Sequence, residues 1–300
     1  MKHPELIAQL SLEEKAALCS GKDYWHVQGV DRLALKSIMV SDGPHGLRKH
    51  NDKKDKTDVM GSVPAVAFPT ASLTACAWDE DLMYKMGETL GEECLAEQVS
   101  VLLGPGMNIK RTPVCGRNFE YFSEDPYLAG RVAAAFIKGV QSKGVGTSLK
   151  HFAANNQEFN RYNNNSMVSE RAMREIYLKG FEICIRESQP HALMTSYNLL
   201  NGTHTSEHTG LIWDILHCEF GYKGIVMTDW VVTGLTNSKS IYPDANAARV
   251  AEAGGDLFMP GSKTDAENIR MAMQKGTLST VQLQKNVSRV IRKIRELRQI

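Results

Sequence analysis

No apolar run in these 300 residues approaches the ~20 needed to cross a bilayer. The opening stretch, M-K-H-P-E-L-I-A-Q-L, lacks a signal-peptide core. The six cysteines (Cys19, Cys76, Cys94, Cys115, Cys184, Cys218) include no C-x-x-C pair and read as reduced thiols, mostly filling the core. The sequons at Asn164, Asn201 and Asn286 carry no weight without secretion, and a cytoplasmic location is expected. No G-x-G-x-x-G opens a helix and no Walker lysine pattern is present, so nucleotide-binding folds lose ground. H-E-x-x-H and tight His/Cys clusters are missing too, so the expected chemistry needs no metal and no cofactor. Charge of one sign does not dominate: Lys plus Arg is 35 against 34 for Asp plus Glu. Neither nucleic acid nor a membrane surface is therefore an expected partner. Internal repeats are absent.

What the chain does have is alternation. Apolar, strand-like runs at 37–40, 99–103, 144–149, 192–195, 224–228 and 256–259 each lead into a polar cluster, and 68–73 is a further candidate. Helical patterns lie between them. Asp79 is a candidate N-cap for a helix to about Glu97, and Pro126 opens one carrying Val132, Phe136 and Val140. Ser169 caps one with Met173, Ile176, Phe181 and Ile185 on one side. Thr264 with Glu267 and Ser279 with Gln282 read as capping boxes. The last helix places Val287, Val290, Ile291 and Ile294 on one face. Repeated βα units predict a mostly parallel sheet, and six or seven strands predict an α/β barrel of the TIM type, with one or two irregular strands. A doubly wound open sheet is the runner-up. One domain spanning 1–300 suffices. The charged loop 52–58 reads as solvated, and 160–166 as a long surface loop near the site.

The run G-I-V-M-T-D-W at 224–230 ends a buried strand in Asp229, with Trp230 beside it. A carboxylate there is costly unless used or paired, and the carboxyl ends of barrel strands are where catalytic residues sit. If the strands run one way, that end also displays Asp42, Arg111 or Arg117, Lys150, His151 and Tyr197. Carboxylates accept from pairs of hydroxyls, Lys and Arg donate, and aromatic faces stack on sugar C–H surfaces. The set therefore suits a polyhydroxylated substrate, with an ionised Asp able to attack an oxocarbenium-like centre. Each residue alone has a blander role: Asp42 in a turn, Lys150 and His151 as a buried pair, Arg117 bridging Glu120 or Glu124. Glu158, Glu170 and Glu207 read as surface or capping residues. A lyase using Lys150 as a Schiff base is a weaker alternative.

The segments S-D-G-P-H-G-L-R-K (41–49), G-P-G-M-N-I-K-R-T-P-V-C-G-R-N-F-E-Y-F-S-E-D-P (104–126), K-H-F-A-A-N-N-Q-E (150–158), M-T-S-Y-N-L-L-N-G (194–202) and I-V-M-T-D-W (225–230) together resemble glycoside hydrolase family 3, most of all its bacterial β-glucosidases. The resemblance runs from about residue 5 to the end. It implies a (β/α) barrel and a retaining double displacement on a terminal β-D-glucosyl residue, with Asp229 as nucleophile. By the same resemblance Asp42, Arg117, Lys150 and His151 hold sugar hydroxyls, Tyr197 lies beside the nucleophile, and Trp230 walls the sugar. Arg111 and Glu170 are looser correspondences, and Asp42 fits the glucose-preferring members. The substrates implied are small β-glucosides or short oligosaccharides. Most β-glucosidases of the family carry a second α/β-sandwich domain that supplies the acid/base Glu. This sequence stops at Ile300, and the loop after Lys150–His151 has no His of the kind single-domain N-acetylglucosaminidases use. The expectation is an impaired glycosidase: foremost a fragment lacking that domain, otherwise a chain that works with another one such as a complementing C-terminal domain, or one that has recruited a residue such as Glu158; the barrel face left bare also predicts a homodimer. A silent sugar-binding module and a β-xylosidase specificity are the alternatives.

Overall fold

The computed structural model describes residues 3–50, 61–232 and 241–297. Its central sheet runs β1 (His26–Val27), β2 (Ile38–Asp42), β3 (Val101–Leu103), β4 (Gly146–Phe152), β6 (Ala192–Thr195) and β9 (Ile225–Met227). β2, β3, β4, β6 and β9 pair in parallel, and β1 pairs antiparallel with β2. The gap between β9 and β1 is bridged. Met227 pairs with Leu257, Phe258 with Ser20, and Gly21 with Val27. The amides of Thr228, Phe258 and Gly21 donate to Leu257, Cys19 and Phe258 carbonyls at 3.0 Å each. Eight segments thus close a ring, which overturns the open-sheet alternative and confirms the barrel with irregular strands. The 256–259 run contributes as bridges rather than as a ladder.

The apolar runs work because alternate residues face opposite ways. Val40, Val101, Leu103, Met194 and Met227 pack in one buried cluster, while Leu102, Leu149, Leu193 and Val226 pack in another with the helices. The helices follow the sequence closely at Glu80–Ala96, capped by Asp79, at Pro126–Ser142, and at Thr280–Glu296. A small sheet of β5 (Asn165–Ser166), β7 (Leu199–Leu200) and β8 (Thr203–His204) lies beside the barrel and accounts for part of the predicted 160–166 loop.

Four expectations fail locally. The 68–73 stretch is no strand: residues 71–75 form the helix Ala71–Ala75, because Thr70 opens a turn after Pro69. The Ser169 helix is interrupted by a π-turn, Met173–Tyr177, where the Leu178 amide reaches back five residues to the Met173 carbonyl at 2.8 Å. The wider turn rotates Ile176 out to solvent while Met173, Phe181 and Ile185 stay buried. The predicted Thr264 cap lies two residues late: Ser262 accepts from the Asp265 amide instead. Ser279 caps its helix, but Gln282 does not return the bond; its amide donates to Asn286 Oδ1, and Glu252 accepts from the Ser279 amide. The 52–58 loop lies outside the described residues. Among those that are described, no helix is long and apolar enough to cross a membrane.

Candidate active site

The carboxyl ends of the parallel strands bring Asp42, Lys150, His151 and Asp229 around a cavity of about 260 Å³, floored by Leu103 and Met194. Asp42 is the last residue of β2, Lys150 and His151 lie in β4, and Asp229 follows β9 by two residues. The D-G-P turn after β2 depends on Gly43, at φ +118°. A Cβ there would stand 2.2 Å from the Gly46 carbonyl oxygen, so only glycine fits.

His151 is fully buried and its neighbours fix its tautomer. Nε2 lies 2.8 Å from an Arg117 guanidinium nitrogen, which can only donate, so Nε2 carries the lone pair. Nδ1 carries the hydrogen and donates to the Tyr121 hydroxyl at 3.0 Å, which also accepts from Asn155 Nδ2 at 3.1 Å. Burial, reinforced by Arg117, Lys150 and Arg161, drives the imidazole pKa well below its ordinary range, so His151 is neutral. Asn108 holds its backbone from both sides: Oδ1 accepts from His151 N at 2.9 Å and Nδ2 donates to His151 O at 2.8 Å.

Asp229 is 8% exposed. Oδ1 accepts from the Trp230 amide at 2.7 Å; Oδ2 is buried and has no hydrogen-bond partner. His151 Nε2 is 3.8 Å from Oδ2, but its lone pair is already committed to Arg117 and it has no proton to give. Burial raises the Asp229 pKa above the usual carboxylate range, against the opposing pull of Arg117, the Trp230 amide, Lys150 and Arg161. The result is a carboxylate with one oxygen held and the other unpartnered.

The remaining walls are charged pairs and rings. Lys150 Nζ donates to Asp42 Oδ1 at 2.7 Å. Burial would raise Asp42, yet Lys150, the Gly43 amide and Arg48 prevail and hold its carboxyl below the usual value. Arg117 also donates to Glu120; burial acts to lower its pKa, but Tyr121, Glu120 and Asp229 outweigh this and raise it. The Tyr197 hydroxyl donates to the Trp230 carbonyl at 2.7 Å, and Trp230 Nε1 donates to the Tyr24 carbonyl at 2.8 Å. Trp25 packs against Trp230 with ring centres 5.8 Å apart. Arg161 stands over the Tyr197 ring at 4.6 Å and the Tyr162 ring at 5.0 Å.

Seven of the eight anticipated residues therefore converge: Asp42, Arg117, Lys150, His151, Tyr197, Asp229 and Trp230. Arg111 does not. It is exposed and lines a separate polar cavity with Asn156, Asn165 and Tyr177. Glu170 is a surface residue paired with Arg174, and Glu207 pairs with Arg249, as their default readings expected. Glu158 does not line the cavity; its Oε2 accepts from Arg161 at 2.8 Å, and Oε1 lies 3.8 Å from Arg117. Sequence reasoning missed Tyr24, Trp25, Arg48 and Arg161. Arg48 lay within the 41–49 segment and Arg161 within the 160–166 stretch already expected near the site, where it opens a 3-10 turn; Tyr24 and Trp25 sit on a loop with no periodicity.

A family model described as the Glycosyl hydrolase family 3 N terminal domain matches residues 52–293. The chain belongs to that family. It is 48% identical over 292 residues to the thermostable β-glucosidase B of Acetivibrio thermocellus, covering 97% of this chain and 37% of that protein. It is also 48% identical over 278 residues to an exo-α-(1→6)-L-arabinopyranosidase of Bifidobacterium longum, covering 92% and 35%. Among solved structures, β-glucosidase 3B from Thermotoga neapolitana in complex with α-D-glucose superposes with a TM-score of 0.88 at 38% identity, over 99% of this chain and 43% of that one. The family 3 barrel thus spans little more than a third of the length of these relatives.

Proposed function

We propose that this family 3 barrel is the sugar-binding, nucleophile-bearing part of a retaining exo-glycosidase acting on β-glucosides. Asp229 Oδ2 attacks the anomeric carbon; a C1–Oδ2 ester forms as the C1–O bond breaks, and the aglycone departs with the bonding electron pair and takes its proton from solvent. Water then attacks C1, gives up a proton to solvent and restores the carboxylate. The observation that carries this reading is the unpartnered oxygen of Asp229, a residue that lines a cavity with Asp42, Lys150, Arg117 and Arg161. Those groups are paired donors and acceptors for hydroxyls, and Trp25 and Trp230 offer apolar faces. Neutral His151, with no proton to spare on Nε2, leaves Asp229 free to attack.

Among the described residues the cavity's other carboxylate is Asp42, kept ionised by Lys150, so neither of these two carboxylates is a ready proton donor to the leaving group. Losing a general acid costs about 10²–10⁴-fold and least where the leaving group needs no proton. The described residues should thus hydrolyse activated aryl glucosides slowly and cellobiose hardly at all. Intact-mass spectrometry with a 2-fluoro, dinitrophenyl-activated β-glucoside tests the nucleophile directly. One fluoroglucosyl unit on Asp229 is expected; no adduct on the folded chain, or one on another carboxylate, overturns the assignment. The arabinopyranosidase relative favours a second reading, in which the pocket takes a pentopyranose. Labelling by the 2-fluoro-arabinosyl reagent faster than by the glucosyl one would establish it.

A further inference from the structure

A second cavity, about 420 Å³, lies at the opposite end of the barrel, where the chain enters β9. It sits between the π-helical segment Gly210–Glu219 and the helix Thr280–Glu296, and residues 221–223 form its edge. Lys223 is six residues before Asp229, about 20 Å along an extended chain. The two cavities share no residue.

This cavity is cationic and under-satisfied. Lys223, Lys285, Arg289 and Arg292 line it. Arg289 is fully engaged: it holds buried Asp256 at 2.8 Å and donates to Gly254 and Asn286. Arg292 is not. Its Nε and one terminal nitrogen are buried without a hydrogen-bond acceptor. Glu296 stands 3.8 Å from Arg292 Nε, beyond hydrogen-bond reach, and is already bound by Lys293 at 2.6 Å. Lys285 sits 4.2 Å over the Trp213 ring. His217 Nδ1 donates to the Tyr222 carbonyl at 3.0 Å, so its Nε2 is an acceptor, and that atom is also buried without a partner. Burial, with Arg289, Arg292 and Lys285, holds the His217 pKa down to about 4, as a ring in a field of positive charge would be.

Orphaned buried groups are rare and costly, and here they come as complements: guanidinium donors lacking an acceptor and an imidazole acceptor lacking a donor. A single ligand that carries both anionic oxygens and an O–H satisfies both. Guanidinium and ammonium groups match a phosphate, and Trp213 and Tyr222 supply apolar faces for a carbon skeleton. We propose that this cavity binds a phosphorylated polyol, with the phosphate on Arg292, Lys285 and Lys223 and a hydroxyl donating to His217 Nε2.

Titration calorimetry with glucose 6-phosphate, glucose and inorganic phosphate tests this. Glucose 6-phosphate should bind at one site that saturating glucose does not displace. Binding should weaken as salt rises and at least tenfold in Lys285→Ala and in Lys223→Ala, partly exposed positions whose loss leaves the Arg289–Asp256 pair intact. Inorganic phosphate should compete, more weakly. Full displacement by glucose, or unchanged affinity in both folded variants, would overturn the proposal. Equal affinity for inorganic phosphate would overturn the polyol part and leave a bare anion site.

Discussion

Replacing Asp229 by Asn should abolish the chemistry and stabilise the fold. The structure sets the sign. Asp229 Oδ2 is buried without a donor, and burial outweighs Arg117, the Trp230 amide, Lys150 and Arg161 in setting its pKa above the ordinary value. A carboxyl group with a raised folded pKa contributes its full stability below the unfolded value and loses it as pH rises through the folded one. At neutral pH the native state therefore carries an ionised group its surroundings disfavour. An orphaned buried acceptor costs about 1–3 kcal/mol. Asparagine keeps an oxygen for the Trp230 amide and removes the charge, but it sets an unpartnered amide nitrogen where Oδ2 stood, so only about 1 kcal/mol should return, or about 1–2 °C in Tm for a chain of 300 residues. The gain should shrink as pH falls through the Asp229 titration, because the protonated acid is as neutral as the amide. Thermal and urea unfolding of both proteins from pH 7.5 down to the lowest pH at which both stay folded would measure it. A variant less stable than the parent at pH 7.5, or a gain that does not shrink on acidification, would refute the reasoning.

Removing Lys150 as Lys150→Met should take from Asp42 its closest partner and leave it with Arg48 at 3.9 Å. Breaking a buried pair costs about 3–5 kcal/mol, but the Asp42 side chain is 32% exposed, so about 2 kcal/mol is expected by denaturant titration. Arg289→Ala strands Asp256, which is wholly buried and whose pKa already stands at about 6, and should cost the full 3–5 kcal/mol. A kcat/KM profile on an aryl glucoside should show no limb near pH 6.5 from His151, since its pKa lies well below that range; a limb there that vanishes in His151→Asn would contradict the assigned tautomer. Trp78, Leu73, Phe119 and Val114 stand exposed at 53–86%, and light scattering on a sizing column should find a dimer or larger species rather than a sharp monomer.

The strands were legible where an apolar run stopped at a polar residue, because burial of both faces leaves no other pattern. Asp42, Lys150, His151 and Asp229 followed from that rule alone. β1 was not legible: two residues carry no period, and its antiparallel direction follows from the pairing of Val27 with Gly21 and Ile38. Arg111 misled because its neighbours in sequence belong to the site motif while its side chain serves another cavity. Arg161 escaped because what places it is the faces of Tyr162 and Tyr197, a tertiary arrangement with no spacing of its own. The π-turn at 173–177 broke the helical count that put Ile176 with the buried face.

The hydrogen bond from Trp230 Nε1 to the Tyr24 carbonyl joins residues 206 positions apart. It means that the aromatic wall of the pocket is the barrel's seam. Chain synthesised early supplies Tyr24 and Trp25, and chain synthesised late supplies Asp229 and Trp230. A nascent chain holds Asp42, Lys150 and His151 long before it has the residues that complete the wall around them. Trimming the first 25 residues would likewise unmake the pocket while leaving the Asp229 carboxylate in the chain. The cavity is therefore a proofreading mark for the fold: its aromatic wall exists only in a barrel whose two ends have met.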